Sequence, residues 1–567
     1  MPPMRVISAA VLLSTAALLS SSLTACVPAA QDGDQGVGRG TAAGGPGKDR
    51  LRKQSLDWKD CAAPSPVQGG GEAPRPLPDG TRWQCTTMQA PLDWKKPAGE
   101  STGIELIRAR SSAGASDRIG SLVFNFGGPG ASGVATLPGL APDYEKLRSR
   151  YDLVSFDPRG VGNSRGVRCL DVGDADGDAD DDGVDDTPDD GDAEIDALVE
   201  YNRETAAACE KNSGDILPHV GTTEAAQDLD LMRHVLGDEK LRYFGISYGT
   251  ELGGVYAHLF PRNVGRAVLD GVVDPTLNTM EEVLGQTGGF QLAFDHFAAW
   301  CAERGCTLGD SAEEIVETAV ELEADLDDAP LSTSDGGELD GNTFTDAISS
   351  ALYKQDYWPA LLVGLEAAVD GKGDTMLDLA QQLGQRRSGG GDGGGDGGGD
   401  GGGDSGGDGG GDSASDDDAS NEDDAFRAIT CADHSDRYTV ADVEEKMPEF
   451  VERSPLFGPG MAWSALSCDG WPVPGEAEHP EVSAPGAPPV LLVGNTGDPA
   501  TPYEGAARMA ERLGEGVGFE LTYKGEGHGA YDSGNACVQS AVNSYLLGGQ
   551  LPRSGAVCEA EPLPEGK

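Results

Sequence analysis

Positive charge is scarce in this 567-residue chain: 41 Lys and Arg stand against 96 Asp and Glu, a net of −55. A nucleic-acid binder needs a basic face to neutralise phosphates, so that class is excluded. Aromatic residues are only 6% while glycine reaches 84, so part of the chain is something other than packed interior. No C-x-x-C pair and no Cys/His cluster at zinc spacing occurs, which argues against a structural metal, and nothing calls for a cofactor. The apolar stretch Val6 to Leu19 is too short to span a bilayer stably.

Hydrophobic residues still make up 38%, enough for a sizeable core, and the length allows three or four ordinary domains or one large one with insertions. Much of the acidity sits in two segments. Asp171 to Asp192 holds twelve acids and Ser388 to Asp424 another twelve, neither with a Lys or Arg. The second is a GGGD tract without large apolar side chains to offset the entropy of ordering, so both segments are expected to be disordered inserts. A calcium-binding β-helix is ruled out, because its repeat is nine residues long with a large apolar residue in each turn.

Residues 1–25 read as an export signal, with Arg5 ahead of the apolar stretch. They end in Leu23-Thr24-Ala25-Cys26, similar to a bacterial lipobox, so Cys26 is expected to carry lipid and hold the protein at the outer face of the membrane. A Gly-, Ala-, Pro- and Asp-rich tether over 26–55 would follow. Lipid on Cys26 leaves ten of the eleven cysteines for five disulfides in an oxidising compartment. Proximity alone suggests Cys61–Cys85, Cys169–Cys209, Cys301–Cys306, Cys431–Cys468 and Cys537–Cys558; sequence does not fix the connectivity.

From Ile104 onward short apolar strands alternate with helical stretches. Ser121–Phe126, Tyr151–Phe156, Leu241–Ile246, Arg266–Leu269, Pro489–Val493 and Gly518–Tyr523 read as strands. Helices are expected over Thr223–Leu236, Gly249–Phe260 and Tyr503–Leu513. Such alternation predicts an α/β fold, a mostly parallel sheet with helices on both faces. Between about residues 276 and 487 helical segments dominate, from Val283–Trp300 to Thr375–Leu383. These predict a helical cap inserted between a first core part (56–275) and a C-terminal core part (488–567).

The strongest local signal is Gly245-Ile-Ser247-Tyr-Gly249, between a strand and a helix. That is the context of a nucleophile elbow, whose tight turn excludes bulk two residues to either side of the serine. A hydroxyl needs a base. His528, in a glycine-flanked loop after a terminal strand, is the candidate; His258 lies eleven residues along the helix from Ser247, about three turns away, and His434 and His479 fall in the cap. The acid is expected after a strand between the two, at Asp498, with Asp270 and Asp274 as rivals. Ser247…Asp498…His528 is the α/β-hydrolase order. Backbone donors for a tetrahedral oxyanion are expected from Tyr248 and from Gly128, with Gly127 close behind, in the Gly127-Gly-Pro-Gly130 loop. Asp157-Pro-Arg159 reads as a charged pair bracing the loop beneath.

GGPG, FDPRGVGNS, GISYGTELG, VLDGVVDP, NTGDPATP and GHG together resemble the secreted tripeptidyl aminopeptidases of actinobacteria. These belong with the proline iminopeptidase-like α/β-hydrolases. The resemblance covers most of Trp58 to Cys558, apart from the acidic inserts. It departs at Phe126, where proline iminopeptidases usually have His before GGPG. It implies an α/β-hydrolase fold and release of a short fragment from peptides with a free N-terminus, through an acyl-enzyme on Ser247. It also implies carboxylates for the substrate ammonium group, and Glu251 and Asp433 are the candidates. An esterase using the same triad is the alternative. Oligomeric state is not legible.

Overall fold

A computed structural model describes residues 46–169, 192–334, 336–387 and 420–560. The export signal, Cys26 and most of both acidic inserts lie outside the described residues. The expected tether ends earlier than residue 55, because Pro46–Arg52 is a helix with Leu51 buried and Gln54 bonds across to the backbone of Gln89. The second insert also ends early. Asn421 is buried and a helix, Glu422–Asp433, begins inside the stretch expected to be disordered.

The strands are β1 (Lys59–Asp60), β2 (Gln84–Pro91), β3 (Ser101–Ala109), β4 (Gly120–Asn125), β5 (Tyr151–Phe156), β6 (Leu241–Ser247), β7 (Val264–Val272), β8 (Leu331–Ser332), β9 (Glu338–Leu339), β10 (Val490–Gly497), β11 (Gly518–Glu526) and β12 (Ala556–Glu559). Ten form one sheet in the order β1-β2-β3-β5-β4-β6-β7-β10-β11-β12, and β8 pairs with β9 alone. Pairings from β5 through β12 are parallel; those among β1, β2, β3 and β5 are antiparallel. This is the expected α/β-hydrolase architecture. The antiparallel edge β2–β3 and the last strand β12 are additions that strand–helix alternation did not reveal.

The central strands are buried on both faces, so their residues alternate between two cores rather than between core and solvent. Val123, Val154 and Leu492 pack with Leu229, Leu252 and Met509 of helices Thr222–Val235, Tyr248–Leu259 and Glu504–Leu513. Leu122, Phe124, Leu491 and Val493 pack on the other side with Leu137, Tyr144, Val542 and Leu546. The cap has its own core of Phe290, Phe294, Phe297, Phe344, Ile348 and Trp358.

Two helices cross the expected core–cap division. Asp192–Ser213 contributes Leu198 to a cluster with Met280, Val443 and Phe450, while Glu422–Asp433 buries Ala425, Ala428 and Ile429 in the sheet core. All five proximity pairings of cysteine are formed.

Candidate active site

Ser247 ends β6 and caps the helix Tyr248–Leu259, with φ 56° and ψ −128°. A non-glycine residue at positive φ is strained and is held only by its surroundings. Those surroundings are tight. A Cβ on Gly245 would lie 2.2 Å from the Gly249 carbonyl oxygen, and one on Gly249 would lie 2.6 Å from that of Asn125. The turn therefore lifts Ser247 above the sheet edge at a helix N-terminus, where unpaired amides and the helix dipole favour negative charge.

The loop after β4 lies against this serine. A Cβ on Gly127 would come within 2.8 Å of Ser247 Cβ. The Gly127 amide donates to Asn125 Oδ1 at 3.2 Å, whereas the Gly128 amide has no acceptor among the described residues. Of the two glycines, Gly128 is thus the one with a donor to offer. Tyr248 opens its helix, so its amide is an orphan donor as well.

Asp498 and His528 meet directly. Asp498 Oδ1 accepts from His528 Nδ1 at 2.8 Å and from the amides of Ala500 and Thr501; Oδ2 accepts from the amide of Gly529. The acid is 2% exposed, and its bonds fix both its own loop and the loop bearing the imidazole. A Cβ on Gly271 would sit 3.2 Å from His528 Cε1, and Gly271 precedes Val272, which is the register partner of Ser247. Serine and imidazole therefore stand over the same end of two neighbouring strands, about 5 Å apart in a sheet.

The rival groups are engaged elsewhere. Asp270 accepts the amides of Ala530 and Tyr531, and burial pushes its carboxyl up to about 7. Asp274 pairs with Arg508, and His258 Nδ1 bonds the Ser483 carbonyl. Asp157 and Arg159 do not pair with each other as expected. Asp157 holds Ser132, the amide of Val134 and Gln68, bracing the helix that follows the GGPG loop. Arg159 instead makes a two-pronged bond to buried Asp228. Arginine favours a partner that matches its planar fork, and Asp228 on the helix Thr222–Val235 presents both oxygens at 2.7 Å.

Comparison with known proteins agrees with this architecture. The model of the family described as TAP-like protein matches residues 454–558, the part holding Asp498 and His528. Serine protease Hip1 of Mycobacterium tuberculosis (strain ATCC 25618 / H37Rv) is 34% identical, over 89% of this chain and 91% of its own. The chain belongs to this TAP-like family of α/β-hydrolases. The tripeptidyl aminopeptidase of Streptomyces lividans is 28% identical over 91% of this chain and 88% of its own. Carboxylesterase B of Mycobacterium tuberculosis (strain ATCC 25618 / H37Rv) is 31% identical over 84% and 86%. The family makes the chain a serine hydrolase.

Within this TAP-like hydrolase the cap takes part in holding the site, which sequence reasoning missed. The Tyr353 carbonyl accepts the His528 amide at 2.8 Å, and its ring meets the imidazole edge-on at 5.2 Å. Gln286 donates to the Ala500 carbonyl, and Gly289 lies so close that a Cβ there would meet the Pro499 carbonyl oxygen at 2.4 Å. Asn495, buried in β10, donates to the Gly527 carbonyl. An Asn inside a buried strand is disfavoured and was a readable signal; Tyr353, far away in sequence, left none.

A further cap contact titrates. His296 Nδ1 lies 3.0 Å from Glu526 Oε2, and that hydrogen bond raises the His296 pKa against the opposing effect of burial. A pKa raised on folding stabilises fully below the unfolded value, about 6.5, and the contribution is lost as pH rises through the folded value. The thermal midpoint of wild type minus that of His296→Gln should therefore be largest below about pH 6.5 and shrink above it. A difference that stays flat from acid to alkaline pH removes this contact as a cap fastening.

Glu251 and Asp433 are brought together, one turn beyond Ser247 and at the end of the helix Glu422–Asp433. They line a 200 Å³ pocket with Thr222, His434, His479 and Glu476. Asp433 accepts the amide and hydroxyl of Thr222, and Thr222 Oγ1 lies 2.5 Å from Tyr248 Oη. Burial, then Asp433 and Glu282, push Glu251 well above the usual carboxylate range; burial lifts Asp433 to about 6. The Cys169–Cys209–Asp424 group is the only metal-like cluster among the described residues, and both sulfurs are in a disulfide. No helix among the described residues is long and apolar enough to cross a membrane.

Proposed function

We propose that this protein is an exported serine peptidase that cleaves peptide bonds near a free N-terminus, a tripeptidyl or related aminopeptidase. Lipid on Cys26 would hold it at the outer face of the cell membrane. The observation that carries the reading is the Asp498–His528 bond at 2.8 Å over the strand ends where strained Ser247 stands. Asp498 holds the imidazole tautomer with Nδ1 protonated, so that Nε2 takes the Ser247 proton during attack on the substrate carbonyl. The amides of Tyr248 and Gly128 receive the developing oxyanion. His528 then returns the proton to the leaving amine, the acyl-enzyme remains on Ser247, and a water activated by the same imidazole clears it.

Glu251 and Asp433 would take the substrate ammonium. Burial is the main cause of their raised pKa values, with neighbouring carboxylates adding to it, and a cation arriving there favours their charged forms. The second reading, a carboxylic-ester hydrolase, is favoured by the relative named Carboxylesterase B. Aminoacyl and tripeptidyl nitroanilides assayed beside acyl nitrophenyl esters separate the two, and turnover confined to the esters overturns the peptidase reading. In the same panel Glu251→Gln is expected to raise KM about tenfold for free-amine peptides while leaving N-blocked esters alone, the loss of one charged hydrogen bond. An equal effect on both removes Glu251 from amine recognition.

A further inference from the structure

The cap roofs a cleft of 540 Å³, within the range of about 300–1,000 Å³ usual for ligand pockets. Its walls include Tyr353 and Gln286, the residues that hold the His528 and Asp498 loops, and also the carboxylates of Glu323, Asp327 and Asp346. Arg427, on the helix Glu422–Asp433, is the one cation among the described residues lining it. That helix starts on the GGPG loop: a Cβ on Gly130 would meet the Glu422 carbonyl oxygen at 2.4 Å and the Phe426 amide nitrogen at 3.0 Å. Arg427 is thus one residue beyond direct contact with the loop proposed to cradle the oxyanion.

The guanidinium is oriented by neutral acceptors, and no carboxylate among the described residues is hydrogen-bonded to it. Its Nη1 donates to Asn202 Oδ1 at 2.6 Å and to the Ser467 carbonyl at 3.2 Å, while the Tyr201 ring lies 5.7 Å away. Nε and Nη2 have no acceptor among the described residues, although an arginine carries five N–H donors. Asp424, one turn earlier and able to pair at i,i+3, gives its Oδ2 to the Cys169 amide instead. Asn202 is 2% exposed, spends its oxygen on Arg427 and leaves Nδ2 without a partner. A buried asparagine committed in this way acts as a positioning residue, fixing the plane of the fork.

We propose that Arg427, oriented by Asn202, is a carboxylate-recognition subsite of the cleft, so that favoured peptides carry a carboxylate there. A planar fork with unspent donors matches a carboxylate and gains little from a neutral amide. The carboxylate comes from an acidic side chain or from the C-terminus of a short peptide. The inference rests on the peptidase reading.

Two matched sets of N-terminally free peptides test it: C-terminal acid against amide, and internal Glu against Gln. Wild type should favour the carboxylate member of at least one set about tenfold in kcat/KM, mainly through KM. The favoured set names the source. In Arg427→Met the ratio should fall to about 1, and Arg427→Lys should keep part of it. No preference in either set, or an Arg427→Met variant that slows both members and leaves the ratio intact, overturns the subsite. Calorimetric binding of the same peptides to Ser247→Ala keeps this apart from the peptidase question. Tighter binding of the carboxylate member, lost in Ser247→Ala/Arg427→Met, upholds the subsite even where no peptide is cleaved; equal affinities overturn it.

Discussion

Ser247→Ala should lower kcat/KM by about 10⁵- to 10⁶-fold and abolish labelling by a fluorophosphonate probe, with the thermal midpoint nearly unchanged. The size follows from what remains. Alanine keeps the elbow geometry and the donors at Tyr248 and Gly128, which stabilise charge for a water attack, but removes the atom that the imidazole activates. Members of such a unit are not additive, so His528→Ala should cost nearly as much and the double variant little more. Asp498→Asn should cost about 10⁴-fold, because the amide reverses the tautomer. Its structural load is heavier than the serine's, since Asp498 also accepts three backbone amides, so its midpoint should fall too. A Ser247→Ala enzyme retaining more than about a hundredth of the activity would place the nucleophile elsewhere.

The elbow was legible because its constraints are local. Gly245, Ser247 and Gly249 lie within five residues, and their strand and helix carry their own apolar signatures. The parallel strands were equally clear: Leu122, Val123 and Phe124 are apolar in succession because both faces are covered. The edge was not. In β2, Gln84, Thr86, Thr87 and Gln89 mix polar residues into the strand, and its pairing with β1 and β3 and the Cys61–Cys85 bond define it. The helix Glu422–Asp433 was half hidden for another reason. It emerges from a Gly/Asp tract, and its start is fixed by Asn421, whose side chain bonds the amide of Gly162 and the carbonyls of Gly160 and Val167. Contacts of that kind join chain segments some 260 residues apart, and composition carries no trace of them.

The same helix bears on how the cap and the sheet domain cooperate. One end rests on the GGPG loop, Arg427 faces the cleft, and Asp433 at the other end reaches Thr222 and, through it, the ring of Tyr248. The residue proposed for a carboxylate and one of the two proposed for an ammonium are thus carried by one helix that also abuts the GGPG loop, and the Cys431–Cys468 disulfide ties it down. A site built on a helix holds its spacing better than one built on loops.

Arg159→Met is expected to destabilise the protein by about 3–5 kcal/mol while leaving kcat per folded molecule close to wild type. Arg159 and Asp228 are almost wholly buried, 0% and 1% exposed. Each arm of the fork is used: Nε and Nη2 on Asp228, Nη1 on the Leu92 and His219 carbonyls, and Nη2 also on Pro91. Methionine fills much of the volume but leaves Asp228 with the Trp94 indole N–H as a side-chain donor, and strips three carbonyls of theirs. A buried charge without its partner costs far more than the pair contributes when intact, because the desolvation is no longer offset. Adding Asp228→Leu should therefore recover much of the loss, an outcome that an ordinary packing defect would not give. Urea unfolding under non-reducing conditions reads both variants. If Arg159→Met instead lost activity with an unchanged midpoint, the DPRG segment would belong to the chemistry, and the bracing assigned to it would have to rest on Asp157 alone.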